Sequence, residues 1–315
     1  MASLQSSVVN VIARTIRSSF FIHKAETFTQ RKSFERLSVF TKFPRFVKSE
    51  KHEIAGLEAM SFYPKQMNKD RVVLYLHGGA YCAGSVKTHK ALIARIARAS
   101  KCKAIGINYR LAPDYPYPAA LEDALSAYNE LLAQGHKNIF LAGDSAGGGL
   151  CMALMLKLKK QRKPMPKGAT LISPWTDLAM TGESIRTKIY NDPLIDPKVL
   201  KYFAGLYIGE DSPTNPYISP LYGDLSQLPP ILIQVGGNEV ILDDSTRLAK
   251  KLKKNGCEVE LEVWENMFHV WHYLGGVLPE SKDAIDSIGS FVKDVYQASK
   301  EINENNLVSY RLEVA

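Results

Sequence analysis

Between a short apolar run and an apolar helical pattern lies Gly143-Asp144-Ser145-Ala146-Gly147-Gly148. A serine with a glycine two residues away on each side, leaving a strand and entering a helix, sits on a turn sharp enough to present its hydroxyl. With a base beside it such a serine is a nucleophile, and the chemistry it performs is acyl transfer. Acyl transfer builds negative charge on the carbonyl oxygen, and preorganised backbone N–H groups are suited to hold it. The run Val72 to Leu76 leads directly into His77-Gly78-Gly79-Ala80-Tyr81, whose glycines let the backbone approach that oxygen. The expected donors are Gly78 and Gly79, with Ala146 from the turn itself.

A base is also needed. His269 follows the last apolar run, Val259 to Val263, through Trp264-Glu265-Asn266-Met267-Phe268, and a histidine on such a loop can reach the nucleophile. His272 competes, but a helix beginning at Val270 would point it along the helix. His77 is expected to brace its own loop, and His23, His52, His89 and His136 to be ordinary surface or core residues. The orienting acid is sought between Ser145 and His269, the chain order that accompanies this kind of turn. After the run Ile231 to Val235, three acids compete: Glu239, Asp243 and Asp244. The two aspartates directly precede a helical pattern and read as N-terminal caps. Glu239 lies nearer the strand end, where a triad acid belongs.

The elements that must position these residues alternate. Val72 to Leu76, Ala104 to Ile107, Ile139 to Ala142, Thr170 to Ile172, Ile231 to Val235 and Val259 to Val263 read as strands. Helical patterns run near His89 to Ser100, Ala119 to Ala133, Gly148 to Lys160, Asp243 to Asn255 and Asp283 to Lys300. This rhythm predicts an α/β architecture with a mostly parallel sheet covered by helices, with ligands beyond the carboxyl ends of its strands. Thr176 to Leu228 breaks the rhythm with repeated prolines. An excursion of about fifty residues is too long for an ordinary connection and reads as a cap inserted over the site.

Composition narrows the function classes. The chain has 315 residues, 45% hydrophobic and 23% charged, which suits one large domain and contains no apolar run long enough to span a membrane. Of the net charge of +8, residues 1 to 51 carry +7, from ten Lys/Arg against three Asp/Glu. The main body is therefore nearly neutral, and without a nucleic-acid-binding motif no nucleic-acid partner is expected. Cys82, Cys102, Cys151 and Cys257 are widely spaced, predicting reduced thiols in a cytoplasmic setting and no metal site. Residues 1 to 24 lack acids and carry the helically spaced Val8, Ile12, Ile16 and Phe20. They read as a cap helix, with a targeting peptide or a membrane-surface contact as alternatives.

Taken in order, the motifs resemble the hormone-sensitive-lipase family of α/β-hydrolases. The resemblance rests on those above together with Tyr109-Arg110-Leu111-Ala112-Pro113, Pro118-Ala119-Ala120, Glu122-Asp123, Ser173-Pro174-Trp175-Thr176-Asp177-Leu178 and Phe268-His269-Val270. It implies an α/β-hydrolase fold and an esterase of short- to medium-chain acyl esters, with a Ser145–Glu239–His269 triad and no cofactor. It also implies a cap, placing residues 1–50 in an N-terminal cap segment and 51–315 in the catalytic domain, with 176–228 as the insertion. Two positions depart from the family pattern. Ala80 replaces a third glycine, which matters little unless the local dihedrals require glycine, and Glu239 stands where most members have aspartate. Arg110 and Asp123 read as a scaffold pair. Rival readings are a lactonase, an N-deacetylase or a non-catalytic small-molecule receptor; the presence of His269 argues against the last. Small-molecule esters are the expected partners, and a homodimer stays open.

Overall fold

The computed structural model describes Arg31 and residues 42–313. The apolar set Val8 to Phe20, and with it the choice between cap helix and targeting peptide, lies outside those residues. Eight strands form one sheet: β1 (Val47–Ile54), β2 (Leu57–Pro64), β3 (Asn68–Leu76), β4 (Cys102–Ile107), β5 (Ile139–Asp144), β6 (Ala169–Ile172), β7 (Ile231–Gly236) and β8 (Val259–Trp264). Their spatial order is β1-β2-β4-β3-β5-β6-β7-β8. β1 and β2 pair antiparallel and β2 joins β4 antiparallel, whereas every pair from β4 to β8 is parallel.

Each apolar run expected to be a strand is one. The β1–β2 hairpin is additional, and β1 starts at Val47, inside the segment expected to belong to the cap. Its sequence, VKSEKHEI, buries only Ile54. An edge strand facing water on both sides carries no apolar signature, and its charges protect an open edge.

The parallel strands are apolar on both faces because both are covered. Along β3, Val72, Leu74 and Leu76 face one core, which includes Leu150 and Leu154 of α3 (Ala146–Lys160) and Leu248 and Leu252 of α6 (Leu242–Lys254). Val73 and Tyr75 face the other, with Ile93 and Ile96 of α1 (Val86–Ser100) and Ile288 and Val292 of α7 (Pro279–Glu313). Helix α2 (Ala119–Ala133) packs on the first face through Leu121, Ala124 and Tyr128. Each fully buried Leu or Ile contributes about 1.5–3 kcal/mol relative to exposure, so the two faces together anchor the strand ends that carry the site.

Register brings those ends together. Leu76 of β3 lies opposite Gly143 of β5, Asp144 opposite Ile172 of β6, and Gly236 of β7 opposite Trp264 of β8. The loops leaving β3, β5, β7 and β8 therefore open side by side. Between β6 and β7 lie α4 (Ser184–Thr187), α5 (Pro197–Ile208) and a 3-10 turn, Pro220–Tyr222. Helix α5 is started by Asp196, whose side chain accepts from the Lys198 N–H, with Pro197 at the first helical position.

Candidate active site

The turn between β5 and α3 holds Ser145 at φ 53° and ψ −122°. A non-glycine residue there carries roughly 1–3 kcal/mol of strain, which surrounding structure must impose. Three backbone bonds impose it: Ser145 N–H donates to Ile172 O at 2.8 Å, and its carbonyl accepts from Gly149 N at 3.1 Å and Trp175 N at 3.0 Å. From Leu141 to Leu150 only Ser145 keeps solvent exposure. The strain thus serves to lift one hydroxyl out of a closed core. Gly147 has a packing reason, because a Cβ there would collide with the Leu76 carbonyl oxygen at the end of β3.

Asp144, just before the nucleophile, ties this turn to its neighbours. Its carboxylate accepts from Tyr75 Oη at 2.5 Å and Gly78 N at 3.1 Å, and faces His89 Nε2 at 3.3 Å. Burial acts to raise its pKa, but the His89 and Tyr75 contacts outweigh that and hold it below the usual carboxylate value. The N–H of Gly78, expected to help hold the oxyanion, already serves Asp144 and also lies 3.2 Å from His89 Nε2. A Cβ at Gly78 would strike that carboxylate, so close approach is what requires glycine. The N–H groups of Gly79, Ala80 and Ala146 have no acceptor among the described residues. Ala80 sits at φ 53°, a left-handed conformation that favours glycine, so the missing third glycine is not free of backbone cost.

His77 braces its loop as expected. Its Nδ1 contacts Gly78 O at 2.8 Å, its ring stacks on Tyr109 with centroids 4.2 Å apart, and its carbonyl accepts from Tyr109 Oη at 2.6 Å. Burial lowers its pKa to about 3.

The loop after β8 brings His269 to Glu239, with Nδ1 2.8 Å from Oε2. Glu239 is fully buried, and its other oxygen accepts from Ser173 Oγ and Gly236 N, both at 2.6 Å. Burial acts to lower the His269 pKa; the hydrogen bond and the charge of Glu239 outweigh it, so the imidazole titrates above 6.5. His272 is placed elsewhere. It lies buried in the 3-10 turn Trp271–Leu274 with Nε2 2.7 Å from Gln234 Oε1, and burial takes its pKa to about 3.

Asp243 and Asp244 do not cap α6. The helix begins at Leu242, so both fall inside its first turn, where their side chains reach sideways. Asp243 Oδ2 accepts from Ser184 N at 2.9 Å, and Asp244 Oδ2 accepts from Thr176 N at 2.7 Å and Asp177 N at 2.8 Å. Both carboxylates are thus occupied in fastening the β6–β7 excursion to α6. Arg110 and Asp123 pair at 2.7 Å. All four cysteines are free and buried; burial pushes the Cys82 thiol up to about 12 and Cys151 higher still, which suppresses thiolate chemistry.

Two supporting residues carry no sequence mark of the part they play. Ser173 Oγ donates to Glu239 and accepts from Val270 N at 3.2 Å, so one hydroxyl touches both the acid and the residue after His269. Asp192, buried in the excursion, accepts from Val240 N at 2.9 Å and steadies the acid turn. Ser173 belongs to a motif visible in the sequence, but its direction follows only from the fold. The excursion also packs on the loop after β3: Tyr207 of α5 stacks on Tyr81 with centroids 3.7 Å apart.

A family model described as the alpha/beta hydrolase fold matches residues 73–273. An acetyl-hydrolase of Streptomyces hygroscopicus is 43% identical over 225 residues, covering 71% of this chain and 75% of that one. An esterase of Acinetobacter venetianus is 37% identical over 229 residues, 72% of this chain and 76% of the relative. The solved structure of an esterase from the bacterial hormone-sensitive lipase family superposes with a TM-score of 0.89 at 39% identity, covering 93% of this chain and 99% of that one. With the strand order, the serine turn and these matches together, the chain belongs to the hormone-sensitive-lipase family of α/β-hydrolases.

Proposed function

We propose that this protein hydrolyses short- to medium-chain carboxylic esters through an acyl-enzyme on Ser145. The observation that carries the reading is the conjunction of a strained, solvent-reaching Ser145 with a buried Glu239 bonded to His269 at 2.8 Å. In the first half-reaction His269 Nε2 takes the Ser145 proton as Oγ attacks the ester carbonyl. Glu239 accepts from Nδ1–H, fixes the tautomer and stabilises the imidazolium. Gly79, Ala80 and Ala146 donate to the developing oxyanion, their N–H groups being uncommitted, and Gly78 supports the loop from behind. The imidazolium then protonates the leaving alcohol. Water, deprotonated by His269, releases the acid and restores the serine.

Support for the short end of the substrate range comes from the relative named an acetyl-hydrolase and from Tyr81 and Tyr207, whose stacked rings occupy space beside the oxyanion loop. We place residues 176–228 and the segment around Arg31 in a cap. Arg31 supports this by donating to Cys82 O and Ala112 O at 2.8 Å each and pairing with Asp114 at 2.8 Å. Purified enzyme is tested on a panel of p-nitrophenyl esters, lactones and N-acetyl amides. Fastest turnover on acetate to hexanoate esters, absent in Ser145→Ala, is expected; preferential turnover of lactones or amides would replace this reading.

A further inference from the structure

Two peptide groups fix the backbone of Glu239. The one before it belongs to the turn after β7, where Glu239 N donates to Gly236 O at 3.2 Å. The one after it is held from outside that turn: Val240 N donates to Asp192 Oδ2 at 2.9 Å, 48 positions earlier in the excursion. The Val240 carbonyl in turn accepts from Ser184 Oγ at 2.7 Å, and Ser184 Oγ accepts from Asp243 N at 3.0 Å. Both backbone polar atoms of the residue that follows the acid are therefore clasped by side chains of the excursion. Ser184, Asp192, Glu239 and Val240 are all buried, where a backbone N–H or C=O left without a partner is costly.

Asp192 does more than close a local turn. Its Oδ1 accepts from Leu194 N and Ile195 N at 2.9 Å each, the ordinary way an aspartate folds the chain back on itself. A local turn does not explain Oδ2, which crosses to Val240. The same carboxylate acts on the base. Burial raises the Asp192 pKa, and the His269 charge opposes that rise together with the Ile195, Val240 and Leu194 N–H groups. Burial acts to lower the His269 pKa; against it stand the hydrogen bond and charge of Glu239, then the charges of Asp192 and Asp144. These three acids come from three elements: the turn after β7, the excursion and the end of β5. The neighbouring His272, from the 3-10 turn, is neutral because burial takes its pKa to about 3.

On the triad chemistry proposed above, on which this assignment rests, we infer that Asp192 and Ser184 are positioning residues that make the place of Glu239 depend on the seated excursion. The charge of Asp192 joins that of Glu239 in holding the His269 imidazolium. A displaced Val240 peptide carries the Glu239 backbone with it, and an error of about 1 Å in a catalytic group can cost roughly a hundredfold in rate. The excursion thus supports the acid as well as packing on the loop after β3.

The test is steady-state kinetics of the full chain across pH, on p-nitrophenyl acetate and hexanoate, for the wild type, Ser184→Ala and Asp192→Asn. Ser184→Ala removes one arm of the clasp without changing charge. Its kcat should fall about tenfold on both esters, with KM little changed and the acid limb of kcat/KM in place. Asp192→Asn removes the charge as well and sets an NH2 group against one of the three amide donors. Its kcat should fall further, and its acid limb should move to lower pH because the imidazolium loses a stabilising charge. A merely structural contact would leave the pH midpoint where it was. Titration of the His269 ring by NMR in the wild type and Asp192→Asn, assigned by its loss in His269→Gln, reads the same charge without turnover. Equal His269 midpoints in the two proteins, or a Ser184→Ala kcat within about twofold of wild type, would overturn the assignment. Should Asp192→Asn not fold, the Ser184→Ala kinetics decide alone. A wild type that turns over no ester would instead defeat the hydrolase reading, and the His269 titration would still decide the part played by Asp192.

Discussion

At the scale of single residues, catalysis turns on which acid serves His269. Glu239→Gln keeps the volume but permits the wrong tautomer, so kcat should fall about three to four orders of magnitude on the precedent of serine hydrolases. Asp243→Asn should leave turnover per folded molecule unchanged and cost roughly 1 kcal/mol through its bond to Ser184; chemical denaturation alongside kinetics reads both. The pH profile gives a second reading. Because Glu239 raises the His269 pKa above 6.5, the imidazole stays protonated, and unable to act as a base, until the pH passes that higher value. The acid limb of kcat/KM should therefore have its midpoint above 6.5 in the wild type. In Glu239→Gln the residual activity should titrate at lower pH, since removing the negative charge removes the cause of the elevation.

At the scale of elements, the site is held by short bonds between loops that leave different strands. Ser173→Ala removes the hydroxyl joining Glu239 to Val270 N, leaving a buried amide unsatisfied at a cost of about 1–3 kcal/mol. The expected result is a lower kcat with KM little changed, measured on one good ester, because the base is misplaced while the acyl and alcohol contacts remain. Much of this arrangement is legible in the sequence where the signal is local. The strands from Val72 to Val263 announce themselves because both faces of a parallel sheet are apolar, and Gly143 to Gly148 announces its turn. What depends on direction in space is not legible. Whether the Gly78 N–H faces a substrate or Asp144 is decided by the packing of β3 against β5, and whether Asp243 caps α6 or reaches Ser184 is decided by the helix starting at Leu242, ahead of both aspartates. The charged β1 strand conceals itself because nothing but Ile54 is buried.

At the scale of the whole molecule, the sheet supplies a fixed floor, and the proposed cap brings residues 176–228 together with Arg31. Arg31 bonds to the loops bearing Cys82 and Ala112 and, among the described residues, makes no hydrogen bond to Ser145, Glu239 or His269. Arg31→Ala should shift the ratio of kcat/KM between acetate and hexanoate esters by more than about threefold, with kcat on the better ester within about twofold of wild type. A parallel loss of kcat on every ester would place Arg31 in the catalytic machinery instead. Among the described residues no helix is long and apolar enough to cross a membrane.

The proposed chemistry turns on attack by Ser145 at the ester carbon. A p-nitrophenyl alkylphosphonate, which traps serine nucleophiles as a stable tetrahedral adduct, followed by peptide mass spectrometry, reads that atom directly. One adduct per chain is expected on the peptide containing Gly143 to Leu150, localised to Ser145, with activity lost in proportion and no labelling in Ser145→Ala. Stoichiometric inactivation with the adduct on another serine, or on Cys82 or Cys151, would contradict it.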